Sequence, residues 1–485
     1  MPSTFRKRKT LDYRLDCARL STDARVRLDG SRAASAPPKL LVNFACWRYI
    51  LPIKPLFCLT QGLRMPARTM TQDDWIAIRD ELAEAFSPGA PVQERDLFAG
   101  RSSQIAALED AVIQRGRHAI VYGERGVGKT SLANVLKLVM QRPNKEVIYV
   151  RVNADPADTF FSLWKKVFKR MSYVEMTDGG QITKKIADDF ANGLTPDDVQ
   201  LVLSEFSGNQ TPIIVLDEFD VIEDKTVTQA VAYTIKALSD YSVNSTIVIV
   251  GVAEDVATLI QGHESVTRCL VQIKMPRMTD EETKSLVLTR YSRCGLTTDA
   301  DMVWKVCFLA RGLPNYAHLL ALHAARYAID QKRLHVRHQD VDRALDGAIS
   351  ELDRSMKEKY VMAVRSQRAE DTLYAPVLLA CSFASTDELG RFQQTSVAEP
   401  LNKIIPGKNY QASTFALHMN AFCEEQRGKV LQRSGTPRNY RYRFSDPLMQ
   451  PYVILKGINE GRLTGETAEI FSTRAQKPLF NPNAN

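Results

Sequence analysis

Gly123-Glu124-Arg125-Gly126-Val127-Gly128-Lys129-Thr130 is the stretch that decides the fold of this 485-residue chain. It fits the pattern G-x-x-x-x-G-K-[ST] completely. Glycines let the backbone turn its N–H groups towards phosphate oxygens, and a helix that begins near Lys129 adds the positive end of its dipole. Apolar residues 119–122 predict a short buried strand before the loop, and residues 131–140 predict a helix after it. The sequence therefore predicts a strand–loop–helix unit that binds phosphate groups.

This loop predicts ATP and Mg²⁺ as ligands. We expect Lys129 to neutralise the β- and γ-phosphates and Thr130 to ligate Mg²⁺. The predicted nucleotide-binding residues of the loop are Gly123, Glu124, Arg125, Gly126, Val127, Gly128, Lys129, Thr130 and Ser131.

A second sequence element, which is acidic, is expected to complete the site at the end of another buried strand. Ile213 to Leu216 forms an apolar run that ends in Asp217-Glu218-Phe219-Asp220. We expect Asp217 to hold the Mg²⁺ through water and Glu218 to polarise the attacking water. Thr130 and Asp217 are thus the predicted metal residues, and Glu218 is a predicted catalytic residue.

The order of apolar patterns predicts the architecture. Buried-strand runs at 119–122, 147–152, 213–216, 247–250 and 271–275 alternate with helical stretches, which favours an α/β fold with a parallel sheet over residues 71–275. Helical patterning alone covers 276–350, which predicts an all-α lid. Three helices and a hairpin within 355–460 indicate a winged-helix domain, and residues 461–485 are predicted to be a polar tail.

The N-terminal segment carries the excess of positive charge. Residues 1–64 hold thirteen Lys or Arg against four Asp, a net +9, so the rest of the +8 chain sums to −1. We predict a disordered basic extension over residues 1–70. Its apolar patch, residues 40–59, contains Arg48 and Lys54 and lacks the roughly 18 uncharged residues of a membrane span. No membrane role is expected.

The eight cysteines are scattered without a C-x-x-C pair. This spacing indicates neither a disulfide framework nor a zinc ribbon, and it favours a reducing, cytoplasmic compartment.

Four motifs together carry a family resemblance. They are Phe98-Ala99-Gly100-Arg101, the glycine-rich loop, Asp217-Glu218-Phe219-Asp220, and Gly312-Leu313-Pro314 in the lid. In this combination the chain resembles AAA+ P-loop ATPases of the initiator clade, the origin-recognition type, over about residues 95–345, and the winged helix extends the resemblance to about residue 460. The resemblance implies a sheet order of 5-1-4-3-2 and contacts between neighbouring subunits. It also implies an adenine site near Phe98, Gly100 and Arg101.

The resemblance carries over three further positions. Arg268 matches the trans-acting arginine finger and becomes the second predicted catalytic residue. The first sensor position falls on Glu254 and the second on Asn315, where the family usually has a hydrogen-bond donor and an arginine. These departures leave nucleotide binding expected but predict slow hydrolysis.

A basic segment suggests a partner. Residues 427–443 contain six Lys or Arg and no acidic residue, and Arg438, Arg441 and Arg443 are the predicted DNA contacts. Two functions remain open: a DNA-associated ATPase that self-assembles, and a nucleotide-switched signalling or defence regulator with slow hydrolysis and a protein partner. A kinase is disfavoured, because the helical lid and winged helix are not its arrangement.

Overall fold

The computed structural model describes residues 70–87, 100–141, 146–177, 180–190, 193–206, 208–253, 264–365, 373–387, 390–436 and 439–463. The predicted N-terminal extension lies almost wholly outside these residues, as does the tail beyond residue 463. Phe98, Glu254 and Arg438 also lie outside them.

Five parallel strands form the central sheet. In chain order they are β1 (His118–Gly123), β2 (Glu146–Asn153), β5 (Gln210–Asp217), β6 (Thr246–Val252) and β7 (Leu270–Lys274). Their order across the sheet is β2-β5-β6-β1-β7. Counted among these five strands, this is 5-1-4-3-2, so the order that the resemblance to AAA+ ATPases implies is confirmed. The fold class is α/β with a P-loop NTPase sheet.

Helices cover both faces of this sheet. The first helix, α1 (Gln72–Ala85), packs against helices of the lid. The helices of the α/β part are α2 (Ser102–Ile113), α3 (Lys129–Val139), α4 (Phe160–Phe168), α5 (Pro196–Ser204), α6 (Lys225–Asp240) and the short α7 (Glu264–Thr267). On one face Trp164 of α4 and Ile235 of α6 pack against Ile214. The alternating residues Val121 and Val215 are equally buried, so the other face is covered too.

A hairpin interrupts the predicted alternation. Strands β3 (Ser172–Thr177) and β4 (Gly180–Lys185) pair antiparallel, where we expected only helical stretches between the core strands. The Asp178-Gly179 pair between two short runs is a typical signal of a two-residue hairpin turn, and it is present in the sequence.

The lid is all-helical apart from one small strand pair, as expected for residues 276–350. Its helices are α8 (Asp280–Arg293), α9 (Ala300–Ala310), α10 (Pro314–Asp330) and α11 (His338–Glu351), with β8 (Thr297–Thr298) parallel to β9 (His335–Val336). Helix α11 stops at Glu351, and Asp353 caps a new helix by accepting a hydrogen bond from the Ser355 backbone.

In the residues that the structure describes, the C-terminal domain has five α-helices and three short strands, which include the expected three helices and hairpin. Its elements are α12 (Arg354–Val364), α13 (Tyr374–Cys381), β10 (Phe392–Gln393), α14 (Thr395–Ile404), α15 (Ala416–Ala421), β11 (Leu431–Ser434), β12 (Arg441–Phe444) and α16 (Met449–Asn459). The strands form an antiparallel sheet in the order β10-β12-β11. Helix α16 returns to pack on α9 and α11 of the lid. The C-terminal domain therefore packs against the lid.

A search of the described residues for a helix long and apolar enough to span a membrane finds none.

Candidate nucleotide site and its junction with the C-terminal domain

The glycine-rich loop follows β1 and leads into α3, as predicted. Gly123, Gly126 and Gly128 have φ angles of 152°, 85° and 98°. A Cβ atom on Gly123 would lie 2.4 Å from the carbonyl oxygen of Met275, whereas one on Gly128 would meet no atom within 4 Å. The backbone therefore requires glycine at these turns, and it leaves open space beside Gly128 at the start of α3.

Lys129 is folded into the loop. Its Nζ donates to the carbonyl oxygens of Gly123 at 3.1 Å and Glu124 at 2.7 Å. Burial lowers the pKa of Lys129 to about 8, against the opposing effect of nearby carboxylates such as Asp220 and Asp217. The ammonium is thus held by weak neutral acceptors, which a phosphate group could replace.

Thr130 and Asp217 meet beside the loop. The hydroxyl of Thr130 lies 3.4 Å from Asp217 Oδ1, and the Asp217 side chain is 2% exposed. Arg151 Nε lies 3.1 Å from Asp217 Oδ2, yet neither atom makes a hydrogen bond of acceptable geometry in the described structure. Asp217 therefore presents a buried oxygen with charge compensation but no donor. A hydroxyl and a carboxylate of this kind are groups that Mg²⁺ uses in nucleotide sites.

Glu218 directly follows Asp217, the last residue of β5, and is exposed. Its φ is 56°, in the left-handed region that residues other than glycine rarely adopt. Asn153 Nδ2 donates to Glu218 Oε2 at 3.3 Å. Backbone strain of this kind is found at functional sites.

Arg151 and Asn153 were missed by the sequence reasoning. Both lie near the carboxyl end of β2, where Asn153 is paired in register with Asp217. The signal was available, because the implied sheet order places β2 next to β5. Polar residues in the run Val150-Arg151-Val152-Asn153 would then have been expected to face Asp217 and Glu218.

Arg101 connects the α/β part to the lid. Its Nη2 donates to the Pro276 carbonyl at 2.6 Å, and its Nη1 lies 3.9 Å from Glu282 Oε2. Burial lowers its pKa, and Glu282 partly restores it. Gly100 and Arg101 both have positive φ, 69° and 63°. Their role at an adenine site stays a prediction.

The other family positions differ in what surrounds them. Arg268 is exposed just before β7 and makes no hydrogen bond or ion pair with any part of the chain that the structure describes. Asn315 is partly buried in the first turn of α10. The arginine-finger role of Arg268 is not tested by this geometry.

The C-terminal domain touches the glycine-rich loop directly. Arg125 Nη1 lies 3.1 Å from Asp446 Oδ2, and a Cβ on Gly126 would lie 2.9 Å from Leu448 Cδ2. The hydroxyl of Tyr316 in the lid donates to the Leu448 carbonyl at 2.7 Å. The segment that precedes α16 is therefore held between the loop and the lid.

Arg277 joins all three parts of the chain. It follows β7, and its Nε donates to Glu124 Oε2 at 2.6 Å. Its Nη1 donates to Gln450 Oε1 at 2.6 Å and to the Arg311 carbonyl at 3.4 Å. One guanidinium thus contacts the phosphate-binding loop, the lid and the C-terminal domain.

The predicted DNA-contacting arginines that the structure describes are partly exposed and pair within the C-terminal domain. Tyr442 and Phe444 are buried, while Arg441 and Arg443 share the other face of β12, as the alternation predicts. Arg441 lies 3.5 Å from Asp387 Oδ2, and Arg443 donates to Gln432 Oε1 at 2.8 Å.

Comparison with known families gives one match. The family model described as Novel STAND NTPase 1 matches residues 86–351, more than half of the chain, from the segment before the loop to the last helix of the lid. No curated protein matches the sequence.

Several solved structures are similar to this chain at low sequence identity. Aeropyrum pernix ORC2 is 11% identical, with 78% of this chain and 98% of that chain covered and a TM-score of 0.44. Aeropyrum pernix ORC1 in complex with DNA is 16% identical, with 79% and 97% covered and a TM-score of 0.42. The Thermotoga maritima RuvB Holliday junction branch migration motor is 14% identical, with 72% and 94% covered and a TM-score of 0.35. Similarities this low assign no activity or partner.

Proposed function

Because the chain belongs to the Novel STAND NTPase 1 family, we propose that it binds and hydrolyses ATP with Mg²⁺, and that this site controls docking of the C-terminal domain. Control of docking by the nucleotide corresponds to the nucleotide-switched regulator. This was one of the two functions that the sequence left open, the other being a DNA-associated ATPase.

The loop and the ends of β5 and β2 would hold the ligands. Residues 126–131 lie at the N-terminal end of the helix α3, where backbone N–H groups favour an anion, and Lys129 would exchange its two carbonyl partners for phosphate oxygens. Thr130 and Asp217 would hold Mg²⁺, which neutralises charge on the phosphates when bound. Glu218 would accept a proton from the attacking water.

The observation that carries the switch is the docking of the C-terminal domain on the loop itself. Glu124, Arg125 and Gly126 each contact that domain or the arginine that reaches it. A phosphate bound in this loop fixes the backbone of the same residues. Nucleotide binding and docking therefore act on one short segment, so a difference in affinity between docked and undocked forms is expected.

Hydrolysis is tested by steady-state phosphate release with ATP and Mg²⁺, using Lys129→Ala as the background. Lys129→Ala should abolish binding of a fluorescent ATP analogue, because no other lysine occupies the loop. Unchanged affinity in that variant would remove the loop from the nucleotide site.

Coupling to docking is tested with Asp446→Asn. The amide keeps the acceptor for the Leu448 N–H but loses the ion pair with Arg125. Such an exposed pair contributes about 0.2–1 kcal/mol, so fluorescent ADP should dissociate up to about fivefold faster. Asp342→Asn, which breaks the Lys305–Asp342 pair in the lid, is the matched control. Equal dissociation rates in the two variants would argue against the switch.

DNA binding is the second candidate, favoured by the basic hairpin and its three-stranded sheet, which fit a winged helix. To reach phosphates, Arg441 and Arg443 would have to leave Asp387 and Gln432, their partners within the same domain. Binding of a labelled duplex at several salt concentrations tests this, with a salt slope that falls by about one for each arginine removed. No binding at low salt would exclude DNA. Self-assembly through Arg268 is a separate expectation, tested by mixing Lys129→Ala and Arg268→Ala subunits.

A further inference from the structure

A cavity of about 940 Å³ lies at the junction of the loop, the lid and the C-terminal domain. Glu124 and Arg125 border it on one side, helix α9 on the second, and the segment around Phe392 and Phe444 on the third. Lys129, Thr130 and Asp217 do not line it. The cavity is therefore next to the nucleotide site without containing its phosphate- or metal-binding side chains.

One wall of this cavity is aromatic. Trp304 and Phe308 line it, and their rings stack with centroids 5.6 Å apart at 14°. Phe308 in turn stacks on Phe383 at 6.0 Å and 19°. The Trp304 ring is only partly buried, so one of its faces is available to a planar ligand.

A cationic side chain, Arg311, lies beside this aromatic wall and forms no ion pair with the described residues. Arg311 lines the cavity, and its single hydrogen bond runs to the Ser382 carbonyl at 3.5 Å. It has no carboxylate within ion-pair distance among the described residues. Burial lowers the pKa of Arg311 to about 10; the neighbouring Arg277 guanidinium contributes to this lowering, and the Asp280 carboxylate opposes it. A guanidinium with five donors and one long hydrogen bond favours an anion beside it.

The backbone at Arg311 is also unusual. The residue ends α9 with φ of 50°, and Gly312 follows with φ of 73°. Glycine or asparagine adopts this conformation at lower cost than arginine. The chain therefore keeps a long cationic side chain at a position where the backbone alone would favour a small residue.

The remaining charges set the polarity of the cavity. Lys274 and Arg443 add positive charge, and Asp280 and Asp387 add negative charge. Asp387 is already engaged by Arg391 and Arg441, at 3.0 Å and 3.5 Å. Positive side chains outnumber carboxylates in the lining of the cavity, with Arg125, Lys274, Arg277, Arg311 and Arg443 against Glu124, Asp280 and Asp387.

We propose that this cavity binds a small aromatic anion of nucleotide size, with the anionic group on Arg311 and the ring on Trp304. Its walls come from both the lid and the docked C-terminal domain, so the ligand stabilises the docked form. Binding itself does not depend on the proposed ATPase activity, whereas its effect on the switch does. Two sources share this chemistry: a separate small molecule, and the outer part of a nucleotide bound in the adjacent loop.

The test uses the full-length Lys129→Ala chain, in which the loop no longer binds nucleotide. The probe is 8-anilinonaphthalene-1-sulfonate, an aromatic anion, titrated while tryptophan fluorescence is recorded. We expect saturable binding to one site, with quenching that is lost in the additional Trp304→Phe variant. Arg311→Asn should weaken binding about tenfold to a hundredfold, since one charged hydrogen-bonding partner is removed. Asparagine tolerates positive φ, so this variant should fold.

The control is Arg354→Asn, which removes an arginine whose side chain is 91% exposed and pairs with Glu358. It should leave probe affinity unchanged. Equal affinity in Arg311→Asn and Arg354→Asn would overturn the site. Binding by the wild-type chain that disappears with Lys129→Ala would show that the cavity is only the outer part of the nucleotide site, and would overturn a separate ligand. The ATPase proposal is judged apart from this, by phosphate release.

Discussion

Arg277→Met is the change that most directly perturbs docking of the C-terminal domain. Methionine keeps most of the apolar stem but removes the guanidinium that joins Glu124 to Gln450. The Gln450 side chain is buried and also donates to the Ser382 carbonyl at 2.8 Å, so its position is fixed and it cannot move to a new partner at no cost.

The expected loss of docking free energy is about 2 kcal/mol. The ion pair with Glu124 is partly exposed, at 27% and 29% for the two side chains, and contributes about 0.5–1 kcal/mol. The hydrogen bond from the charged Nη1 to buried Gln450 contributes about 1.5 kcal/mol. Together they correspond to a roughly 30-fold larger undocked population.

Amide hydrogen exchange measures this population. The N–H groups of Leu448, Met449 and Gln450 bond within their own segment, which contacts the loop and the lid only while docked. Exchange through undocking should therefore speed up about 30-fold at these amides, while amides of the central sheet keep their rates. Fluorescent ADP should also dissociate faster.

Arg354→Asn serves again as the control, since its arginine lies on an exposed helix face. Unchanged exchange at residues 448–450 in a folded Arg277→Met protein would refute the reasoning, because it would mean that Arg277 does not hold the domain. Uniform acceleration across the sheet would instead mean global destabilisation, and would equally contradict a local role.

Three further predictions concern the site and the core. Glu218→Gln should keep ATP affinity and lower turnover at least a hundredfold, because the amide cannot accept the proton of the attacking water; single-turnover phosphate release checks this, and equal rates would remove Glu218 from catalysis. Arg151→Gln should lower the Mg²⁺ concentration for half-maximal ATP binding several-fold, since the cation that neutralises Asp217 is lost, and a higher requirement would contradict that account. His118 is fully buried, and burial lowers its pKa from 6.5 to about 3. Because the pKa of His118 is lower in the folded than in the unfolded state, its contribution to stability is complete above pH 6.5 and is lost as the pH falls. The free energy of unfolding of the wild-type protein should therefore fall between pH 6 and pH 4. In His118→Gln this fall should be smaller by about 1.4 kcal/mol per pH unit, as measured by urea titration.

The sequence predicted the sheet and its loop because both follow from local pattern. Four-residue apolar runs and a glycine spacing define the strands and the turn, and the order of strands followed from the family resemblance. The same reasoning placed Asp217 beside Thr130, which lie 3.4 Å apart between side-chain oxygens.

The junction could not be predicted in this way. Asp446 and Leu448 lie more than 300 residues from Arg125 and Gly126, and nothing in a single sequence couples a polar turn before α16 to a loop in another domain. Arg277 likewise has three partners on three parts of the chain. The basic hairpin was interpreted from charge alone, and the pairing of its Arg441 with Asp387 depends on how the domain packs.

Gly126 belongs to the loop proposed to bind phosphate, and a Cβ atom on it would lie 2.9 Å from Leu448 Cδ2 of the C-terminal domain. A larger residue there would obstruct the nucleotide and push the C-terminal domain away at the same time. A loss of function in a variant at this glycine, or at Arg125, would therefore have two causes, lost nucleotide binding and lost docking. The phenotype alone does not separate these causes. In genetic work on this chain, Lys129 is the cleaner position to inactivate, since its ammonium contacts only carbonyl groups of its own loop.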